Sequence, residues 1–380
     1  MTAERLRIGI NLCWLDPGVV GGSEQATVRT LVALARRDPT TMEFVLLASR
    51  AFADHYPDLG RDFETHVLPV PGGNKFLRVG GEQVWLPWAT RRFRLDMLHD
   101  AGGTSPGSTT APRVVTIHDI QPLEHPERFP RARVAYLRRA VPAAVEAAAR
   151  VVVPSAFVRD RLVASLGADP SMIDVVPWSR PPVDDRAPTG VVLDRWALRD
   201  RPFLVLPAIT YPHKEHVTAL RAVGHLVDRH PDLRLVLPGG RGPAEAAVVA
   251  AVAELGLEAN VVRPGRLATD VVLTLVEQSS AMIFPSSYEG FGIPALEAMA
   301  LGTPAVVSDA GALREVVGDA GVVVPVGDHE QFAIEIHRLL TDEDHRAAVV
   351  ERGRRRAAAF DPERTAERLL AAYRSVEVGR

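Results

Sequence analysis

Two glutamates frame a glycine-containing stretch whose chemistry suits an anionic, hydroxylated ligand. Glu289 and Glu297 are separated by seven residues, with Gly290 and Gly292 between them. Carboxylates accept hydrogen bonds from sugar or ribose hydroxyls, and glycine amides can be approached closely because they carry no side chain. A helix start adds unpaired N–H groups and a positive dipole end, which suit a phosphate. A simpler interpretation stays open, in which Glu297 complements the helix dipole and Glu289 is a solvated loop acid.

A strand, a loop, a helix and a second strand must position these glutamates. The apolar run 281–285 predicts a buried strand, and the helix formers after Pro294 predict a helix whose first turn holds Glu297. Gly302 is predicted to end that helix, and 305–308 to form the next strand. Because parallel strands need such a crossover, the loop falls at the carboxyl end of a parallel strand, where open α/β sheets bind ligands.

Other polar residues stand at the ends of predicted strands. Lys214 follows the strand predicted at 203–206 and precedes a helical pattern, where a lysine can neutralise phosphate as a point charge. His118 and Asp119 end the β-branched run 114–117, which again predicts a polar strand end. Lys214 could instead be an ordinary surface lysine, and the His-Asp pair a satisfied structural pair.

Composition limits the class of protein. With 380 residues, 47% of them hydrophobic and 24% charged, the chain resembles a soluble globular enzyme of two to three domains. A net charge of −3 gives no reason to expect nucleic acid binding. Cys13 is the only cysteine, so no intrachain disulfide forms and a reducing compartment is natural. We find no signal-peptide pattern and no apolar run of about 20 residues, and therefore expect a cytoplasmic protein.

The predicted strands fall into two groups, separated by the proline-rich segment 178–188, which we interpret as a linker. We expect one domain over 1–180, joined by a returning helix at 361–380, and a second domain over 189–360. Further strands are predicted at 7–13, 44–48, 66–69, 151–154, 173–176, 233–238, 260–263 and 322–326.

The sequence around the two glutamates resembles a known signature. PSSYEGFGIPALEAMALGTPAVVSDAGALREVVGDAG, residues 285–321, resembles the E-x7-E signature of retaining GT-B glycosyltransferases of family 4, and the match runs through Ser308, Gly311 and Glu315. Residues 114–130 and 360–374 resemble other segments of that family. The resemblance implies two Rossmann-like, doubly wound parallel-sheet domains facing across a cleft, with the C-terminal helix returning to the first.

The resemblance also implies roles for individual residues. His118, Glu289 and Lys214 would be catalytic, and Asp119 would orient the imidazole or contact the acceptor. The family often has an arginine where Ile209 stands, and Arg241 or Arg266 could supply that charge. The donor-binding residues implied are Gly22, Arg266, Gly290, Phe291, Gly292, Ile293 and Glu297.

The activity implied is sugar transfer with retention of configuration, from a nucleotide diphosphate donor to a glycan, lipid-linked or small hydroxylated acceptor. Within the family, the sequence most resembles polysaccharide mannosyltransferases, so GDP-mannose is the expected donor, followed by UDP-glucose. No cofactor or metal is expected, since the D-x-D triplet 342–344 is interpreted as a helix cap. A sugar-nucleotide epimerase and a non-catalytic sugar-nucleotide-binding protein are alternatives. A nicotinamide dehydrogenase is disfavoured because G-x-G-x-x-G is absent.

A basic, tryptophan-containing segment suggests one further partner. Residues 78–94 include Trp85, Trp88, Arg91 and Arg92, and a basic helix with tryptophans can lie on an anionic membrane surface. The ordinary interpretation is packed tryptophans beside a solvated basic face. The first interpretation predicts peripheral contact at the inner face of the membrane.

Overall fold

The structure is a computed structural model that describes residues 5–19, 21–37, 41–70, 75–105, 107, 109–182 and 186–378. The chain divides into two compact units. The N-terminal unit comprises Met1–Ser179 and Pro362–Arg380, and the C-terminal unit comprises Arg180–Asp361.

Each unit is built on one parallel sheet, which confirms the predicted pair of doubly wound α/β domains. The seven-stranded sheet of the N-terminal unit has the order β3-β2-β1-β4-β5-β6-β7, and the six-stranded sheet of the C-terminal unit has the order β10-β9-β8-β11-β12-β13. The strands are β1 (Leu6–Leu12), β2 (Met42–Ala48), β3 (Glu64–Val67), β4 (Met97–Asp100), β5 (Arg113–Thr116), β6 (Arg150–Val153), β7 (Ile173–Val175), β8 (Phe203–Val205), β9 (Arg234–Pro238), β10 (Val261–Gly265), β11 (Ala281–Phe284), β12 (Ala305–Ser308) and β13 (Val322–Val324).

Helices follow the strands along the chain. In addition to the α-helices, short 3-10 helices occur at Pro126–Arg128, Pro170–Met172 and Pro212–Lys214. The α-helices are α1 (Gly22–Ala35), α2 (Arg50–His55), α3 (Leu59–Asp62), α4 (Lys75–Arg92), α5 (Gln121–Glu124), α6 (Arg131–Ala147), α7 (Ala156–Leu166), α8 (Thr189–Arg195), α9 (His216–Gly224), α10 (Glu245–Glu254), α11 (Thr269–Gln278), α12 (Ile293–Leu301), α13 (Leu313–Val317), α14 (His329–Thr341), α15 (Glu343–Ala358) and α16 (Pro362–Arg374).

Successive strand residues point to opposite faces of a sheet, and both faces of the N-terminal sheet are covered. Phe44 and Leu46 of β2 belong to one buried cluster, which also includes side chains of α1 and α16. Val45 and Leu47 belong to a different cluster with side chains of α4. Cys13, directly after β1, is 1% exposed and its thiol donates to the Leu47 carbonyl at 3.5 Å.

The strand orders fix where each sheet can hold a ligand. In the N-terminal unit the chain adds β2 and β3 on one side of β1 and then returns to β4 on its other side. In the C-terminal unit it adds β9 and β10 beside β8 and then returns to β11. A crevice forms at the carboxyl ends of the strands where the direction reverses. The loops that follow β8 and β11 therefore lie side by side.

The sequence analysis missed one strand of the described part of the chain, β4, which pairs with β1 and β5 in the middle of the N-terminal sheet. The strand is only four residues long, and its second half is His99 and Asp100. Both side chains are buried. A short strand with a polar half shows neither the alternation nor the apolar run by which strands are predicted.

The C-terminal helix α16 packs against the sheet of the N-terminal unit. Leu370 and Tyr373 are buried in the cluster that also contains β1 and β2 residues. The Tyr373 hydroxyl lies 2.7 Å from His99 Nδ1, and His99 Nε2 lies 2.7 Å from the Thr116 hydroxyl. Burial lowers the pKa of His99 to about 3, so the imidazole is neutral and needs both partners.

Tyr373→Phe should destabilise the N-terminal unit by about 1–3 kcal/mol, because it leaves a buried nitrogen of His99 without its hydrogen bond while the ring packing stays. Urea denaturation followed by circular dichroism measures this loss. Tyr136→Phe is the matched control, since Tyr136 is exposed and its change should cost far less. Equal stability of the two variants would show that the Tyr373 hydroxyl contributes nothing.

Candidate functional site

Two loops of the C-terminal unit carry Lys214 and Glu289, two of the charged residues singled out by the sequence analysis. Lys214 ends the 3-10 helix that follows β8, and Glu215 then takes a left-handed conformation with φ 53° before α9 begins. Glu289 lies in the loop between β11 and α12. Because β8 and β11 are paired, these loops are neighbours at the reversal point of the sheet.

An ion pair joins the two loops. Lys214 Nζ lies 2.5 Å from Glu289 Oε1, and the side chains are only 18% and 11% exposed. The ammonium also stands over the ring of Phe284, 4.9 Å from its centroid. A backbone hydrogen bond of 2.8 Å from the Ser287 amide to the His213 carbonyl ties the same loops together. The sequence analysis singled out both Lys214 and Glu289, but nothing in the sequence predicted an ion pair between them.

Two glycines fix the backbone on either side of Glu289. Gly292 precedes α12 with φ 106°, and a Cβ there would lie 2.5 Å from Leu313 Cδ2. Gly311 has φ 57°, and a Cβ there would lie 2.2 Å from the Glu289 carbonyl oxygen. The Ala312 amide donates to the same carbonyl at 3.0 Å. The position of Glu289 therefore depends on glycine at 311.

The remaining residues of the E-x7-E stretch lie deeper than the sequence suggested. Glu297 is 8% exposed and is the fifth residue of α12, so its predicted place in the first turn was wrong. The helix begins at Ile293, one residue before Pro294, which moves Glu297 into the second turn. Phe291 is 2% exposed and packs edge-on against Phe360, with ring centroids 5.8 Å apart. Because the Phe291 side chain is buried, only its backbone is available to a ligand. The same holds for Gly290 and Gly292, which have no side chain.

The structure distinguishes the two arginines that could add a second positive charge. Arg241 is 89% exposed and lies 3.6 Å from Glu245, on the turn after β9. Arg266 follows β10, and a Cβ built on Gly240 would lie 3.4 Å from its Nη2 and 3.8 Å from Ile209 Cγ1. The Arg266 guanidinium therefore lies close to the position where the family often has an arginine.

In the N-terminal unit, His118 follows β5 and is held as a neutral imidazole. Its Nε2 hydrogen-bonds the Ala101 carbonyl at 2.8 Å, so Nε2 carries the proton. Its Nδ1 is buried and has no hydrogen-bond partner in the described part of the chain. Burial lowers the pKa of His118 to about 4. The rings of Trp14 and Trp178 lie 5.3 Å and 5.5 Å from the imidazole.

Asp119 has a local structural role. Its Oδ1 accepts the Gln121 amide at 2.9 Å, at the start of α5. The imidazole of His118 is oriented by the Ala101 carbonyl and not by a hydrogen bond to Asp119. Because Asp119 is exposed, contact with an acceptor is the role left from the sequence analysis.

Gly22 begins α1, directly after Gly21 with φ 83°. A residue that the sequence analysis did not single out holds the preceding loop. Glu24 is 3% exposed, and its two oxygens accept the Gly18 amide at 3.1 Å and 2.9 Å. The Tyr56 hydroxyl donates to the same carboxylate at 2.7 Å. An acid in a first helical turn usually indicates dipole complementation, so sequence gave little signal for this clamp.

A second missed group lies at the carboxyl end of β4. Asp100 is fully buried, accepts from Asn11 Nδ2 at 3.0 Å and lies 3.5 Å from Arg113. Burial raises the pKa of Asp100 to about 6. Burial likewise raises the pKa of Glu82 to about 7, although Arg78 lies 3.1 Å away. Perturbed carboxylates at a reversal point of a sheet are typical of functional sites.

The D-x-D triplet is a helix cap. Asp342 precedes α15, and its Oδ1 accepts the His345 amide at 2.8 Å. This confirms the predicted cap. Over the described residues, no group of three or more potential ligands is placed to hold a metal ion.

Helix α4 presents an apolar and basic face. Leu77, Val84 and Trp88 are exposed, and Val84 and Trp88 line a surface groove with Arg91 and Arg92. Among the described residues no helix is both long and apolar enough to cross a bilayer.

Two family models match consecutive parts of the chain. Residues 20–179 match "Glycosyltransferase Family 4", and residues 196–356 match "Glycosyl transferases group 1". The chain belongs to the group 1, family 4 glycosyltransferases. The two sheets are those of the GT-B fold.

Similar proteins come from several organisms. The O-antigen chain mannosyltransferase B of Escherichia coli is 28% identical over 76% of this chain and 76% of the relative. The D-inositol 3-phosphate glycosyltransferase of Rhodococcus jostii (strain RHA1) is 32% identical over 60% of this chain and 53% of the relative. Among solved structures, Anabaena Alr3699/HepE in complex with UDP-glucose superposes with a TM-score of 0.75, at 17% identity, over 97% of this chain and 99% of that one.

Gly311→Ala should displace Glu289, because the added methyl group would overlap the Glu289 carbonyl. The matched control is Gly256→Ala, whose φ of 64° is similar but whose Cβ would meet nothing within 4 Å. The control carries only the left-handed strain of about 1–2 kcal/mol, whereas Gly311→Ala should cost more and should also weaken donor binding. Urea denaturation and calorimetry measure both effects. Equal stability and equal donor affinity of the two variants would contradict the prediction.

Proposed function

We propose that this glycosyltransferase moves a sugar, with retention of its anomeric configuration and without a metal ion, from a nucleotide diphosphate to a hydroxylated acceptor. The observation that carries the proposal is the half-buried pair of Lys214 and Glu289 at the reversal point of the C-terminal sheet. A cation beside a helix start and a carboxylate suits a ligand with a diphosphate and neighbouring hydroxyls.

Donor binding is assigned to the C-terminal unit. Lys214, Arg266 and the first amides of α12 would bind the diphosphate, since all are positive or partly positive. Glu289 would accept hydrogen bonds from the transferred sugar, and Glu297 from the ribose. The backbone of Gly290 and Phe291 would approach the sugar and diphosphate closely.

The chemistry requires mainly charge stabilisation and positioning. As the bond between the anomeric carbon and the phosphate oxygen breaks, negative charge develops on the departing diphosphate. Lys214 and the start of α12 stabilise that charge. The departing phosphate oxygen takes the proton of the acceptor hydroxyl, and the acceptor oxygen bonds to the anomeric carbon on the same face. Because the diphosphate supplies the base, no enzyme carboxylate is needed as a base and no covalent intermediate forms.

His118 is assigned to the reacting sugar. Its neutral ring has a lone pair on Nδ1 that no described residue hydrogen-bonds, and we assign a sugar hydroxyl to this lone pair. A pKa of about 4 keeps the imidazole neutral at pH 7. His118 therefore positions a hydroxyl and does not transfer a proton.

We propose GDP-mannose as the donor, since the Escherichia coli relative is named as a mannosyltransferase. UDP-glucose is the second candidate, because the similar Anabaena structure was solved with that donor. The acceptor is proposed to be a glycan or a lipid-linked sugar, and Asp119 is proposed to contact it. The exposed apolar and basic face of α4 would hold the protein at an anionic membrane surface, on the cytoplasmic side.

Incubation with a panel of sugar nucleotides should transfer sugar from one of them, with GDP-mannose preferred and the rate unchanged by EDTA. Proton NMR of the first product from an α-linked donor should show an α-linkage. A β-linked product would contradict the mechanism. Epimerised donor without transfer would favour the epimerase, and binding without any reaction would favour the non-catalytic alternative. Loss of activity in EDTA that magnesium restores would exclude the metal-independent reaction.

His118→Ala should reduce turnover about a hundredfold or more while nucleotide diphosphate affinity stays within about twofold, because His118 acts on the sugar and not on the phosphates. Initial rates and calorimetry measure the two quantities. His55→Ala, an exposed histidine of the same unit, is the control. Turnover near that of the control would remove His118 from the catalytic residues.

Arg266→Ala should weaken nucleotide diphosphate binding about tenfold or more, since a charged hydrogen bond is worth about 1.5–3 kcal/mol. Arg241→Ala should change the affinity by less than about twofold, because its exposed ion pair contributes little. Calorimetry with GDP and UDP compares the two variants. The opposite ranking would assign the second cation to Arg241.

A further inference from the structure

The ion pair of Lys214 and Glu289 joins two groups that the proposed function assigns to different parts of the donor. The Lys214 ammonium is proposed to bind the diphosphate, and the Glu289 carboxylate is proposed to bind the sugar. In the structure each neutralises the other at 2.5 Å. A donor that contacts either group therefore competes with the pair.

Among the described residues, neither side chain has a second ion-pair partner. Across the described residues, Lys214 has no other anionic partner within 4.0 Å and Glu289 has no other cationic partner. Their side chains are only 18% and 11% exposed, so water solvates them poorly once they separate. Breaking a shielded pair from one side leaves the other charge uncompensated, which is strongly unfavourable.

We propose that this pair couples recognition of the diphosphate to recognition of the sugar. A diphosphate draws the ammonium away from Glu289, and the freed carboxylate then needs hydroxyl donors, which the sugar of a complete donor supplies. The inference rests on the proposed function and adds an energetic link between two contacts that would otherwise act separately. An intact sugar nucleotide satisfies both charges, whereas a bare diphosphate satisfies one and leaves the other without a partner.

The coupling has a consequence for turnover. Transfer removes the sugar and leaves the nucleoside diphosphate in the site. Glu289 then loses its hydroxyl partners and competes again for Lys214. The pair thus weakens binding of the product relative to the substrate and promotes product release. A fixed lysine without this competitor would hold the diphosphate more tightly after the reaction than before.

Glu289→Gln tests the coupling because it keeps the size of the side chain and removes its charge. Calorimetry with GDP and UDP, and with GDP-mannose and UDP-glucose in the absence of acceptor, gives the affinities. We expect the variant to bind the nucleoside diphosphate about three- to tenfold tighter than the wild type, because Lys214 is freed. We expect it to bind the matching sugar nucleotide more weakly. Relative to the wild type, the variant should therefore favour the nucleoside diphosphate over the sugar nucleotide.

A double-mutant cycle with Lys214→Met separates competition from simple repulsion between a carboxylate and a diphosphate. If Glu289 competes for the lysine, the gain from Glu289→Gln disappears when Lys214 is absent. If the gain persists unchanged in the Lys214→Met background, repulsion alone explains it and the coupling is overturned.

Glu277→Gln is the matched control, since Glu277 pairs with Arg186 in the same unit. Glu277 lies near the end of α11, which leads into the amino-terminal end of β11. It is therefore at the amino-terminal ends of the strands, whereas Glu289 is at their carboxyl ends. The affinities of the Glu277→Gln variant should equal those of the wild type. Should Glu289→Gln fail to fold, as judged by circular dichroism, Glu289→Ala provides the same comparison.

The outcomes distinguish the coupling from the proposed function. A wild-type protein that binds neither diphosphates nor sugar nucleotides overturns the proposed function. A wild type that binds and transfers, with diphosphate affinity unchanged or lower in the Glu289 variants, overturns the coupling alone. Tighter diphosphate binding that requires Lys214, together with weaker sugar-nucleotide binding, supports it.

Discussion

The pairing of β8 with β11 is the constraint on which the C-terminal site depends. Lys214 and Glu289 are 75 positions apart in the chain and become neighbours because the winding of the sheet reverses between these two strands. The loops are then tied by an ion pair and by a backbone hydrogen bond. The sheet thus brings both charged side chains to one place.

The candidate-site residues of the two units differ in charge. In the N-terminal unit, burial keeps His99 and His118 neutral and favours the protonated form of Asp100. In the C-terminal unit, Lys214 and Glu289 compensate each other as a pair. Neutral groups suit the recognition of hydroxyls, and a displaceable cation suits the recognition of phosphates. In the proposed function, His118 accordingly receives a sugar hydroxyl and Lys214 receives the diphosphate.

Much of the fold could be predicted because apolar, β-branched strands alternate with helical patterns along the chain. The E-x7-E stretch also gave the right strand, loop and helix, with an error of one residue at the start of α12. Three features could not be predicted. The β4 strand is short and half polar. The Asp119 side chain accepts a hydrogen bond from the Gln121 amide in its own turn. The pairing of Lys214 with Glu289 depends on tertiary contacts that local patterns do not encode.

The environment of Cys13 has a practical consequence for labelling experiments. This sole cysteine is buried, its thiol donates to a backbone carbonyl, and burial raises its pKa well above the ordinary value. The thiolate is the reactive form, so the native chain is inert toward maleimides and iodoacetamides while folded. A cysteine introduced at any exposed position would then be the only reactive thiol. Fluorophores or spin labels can therefore be attached at chosen exposed positions without removing a native residue.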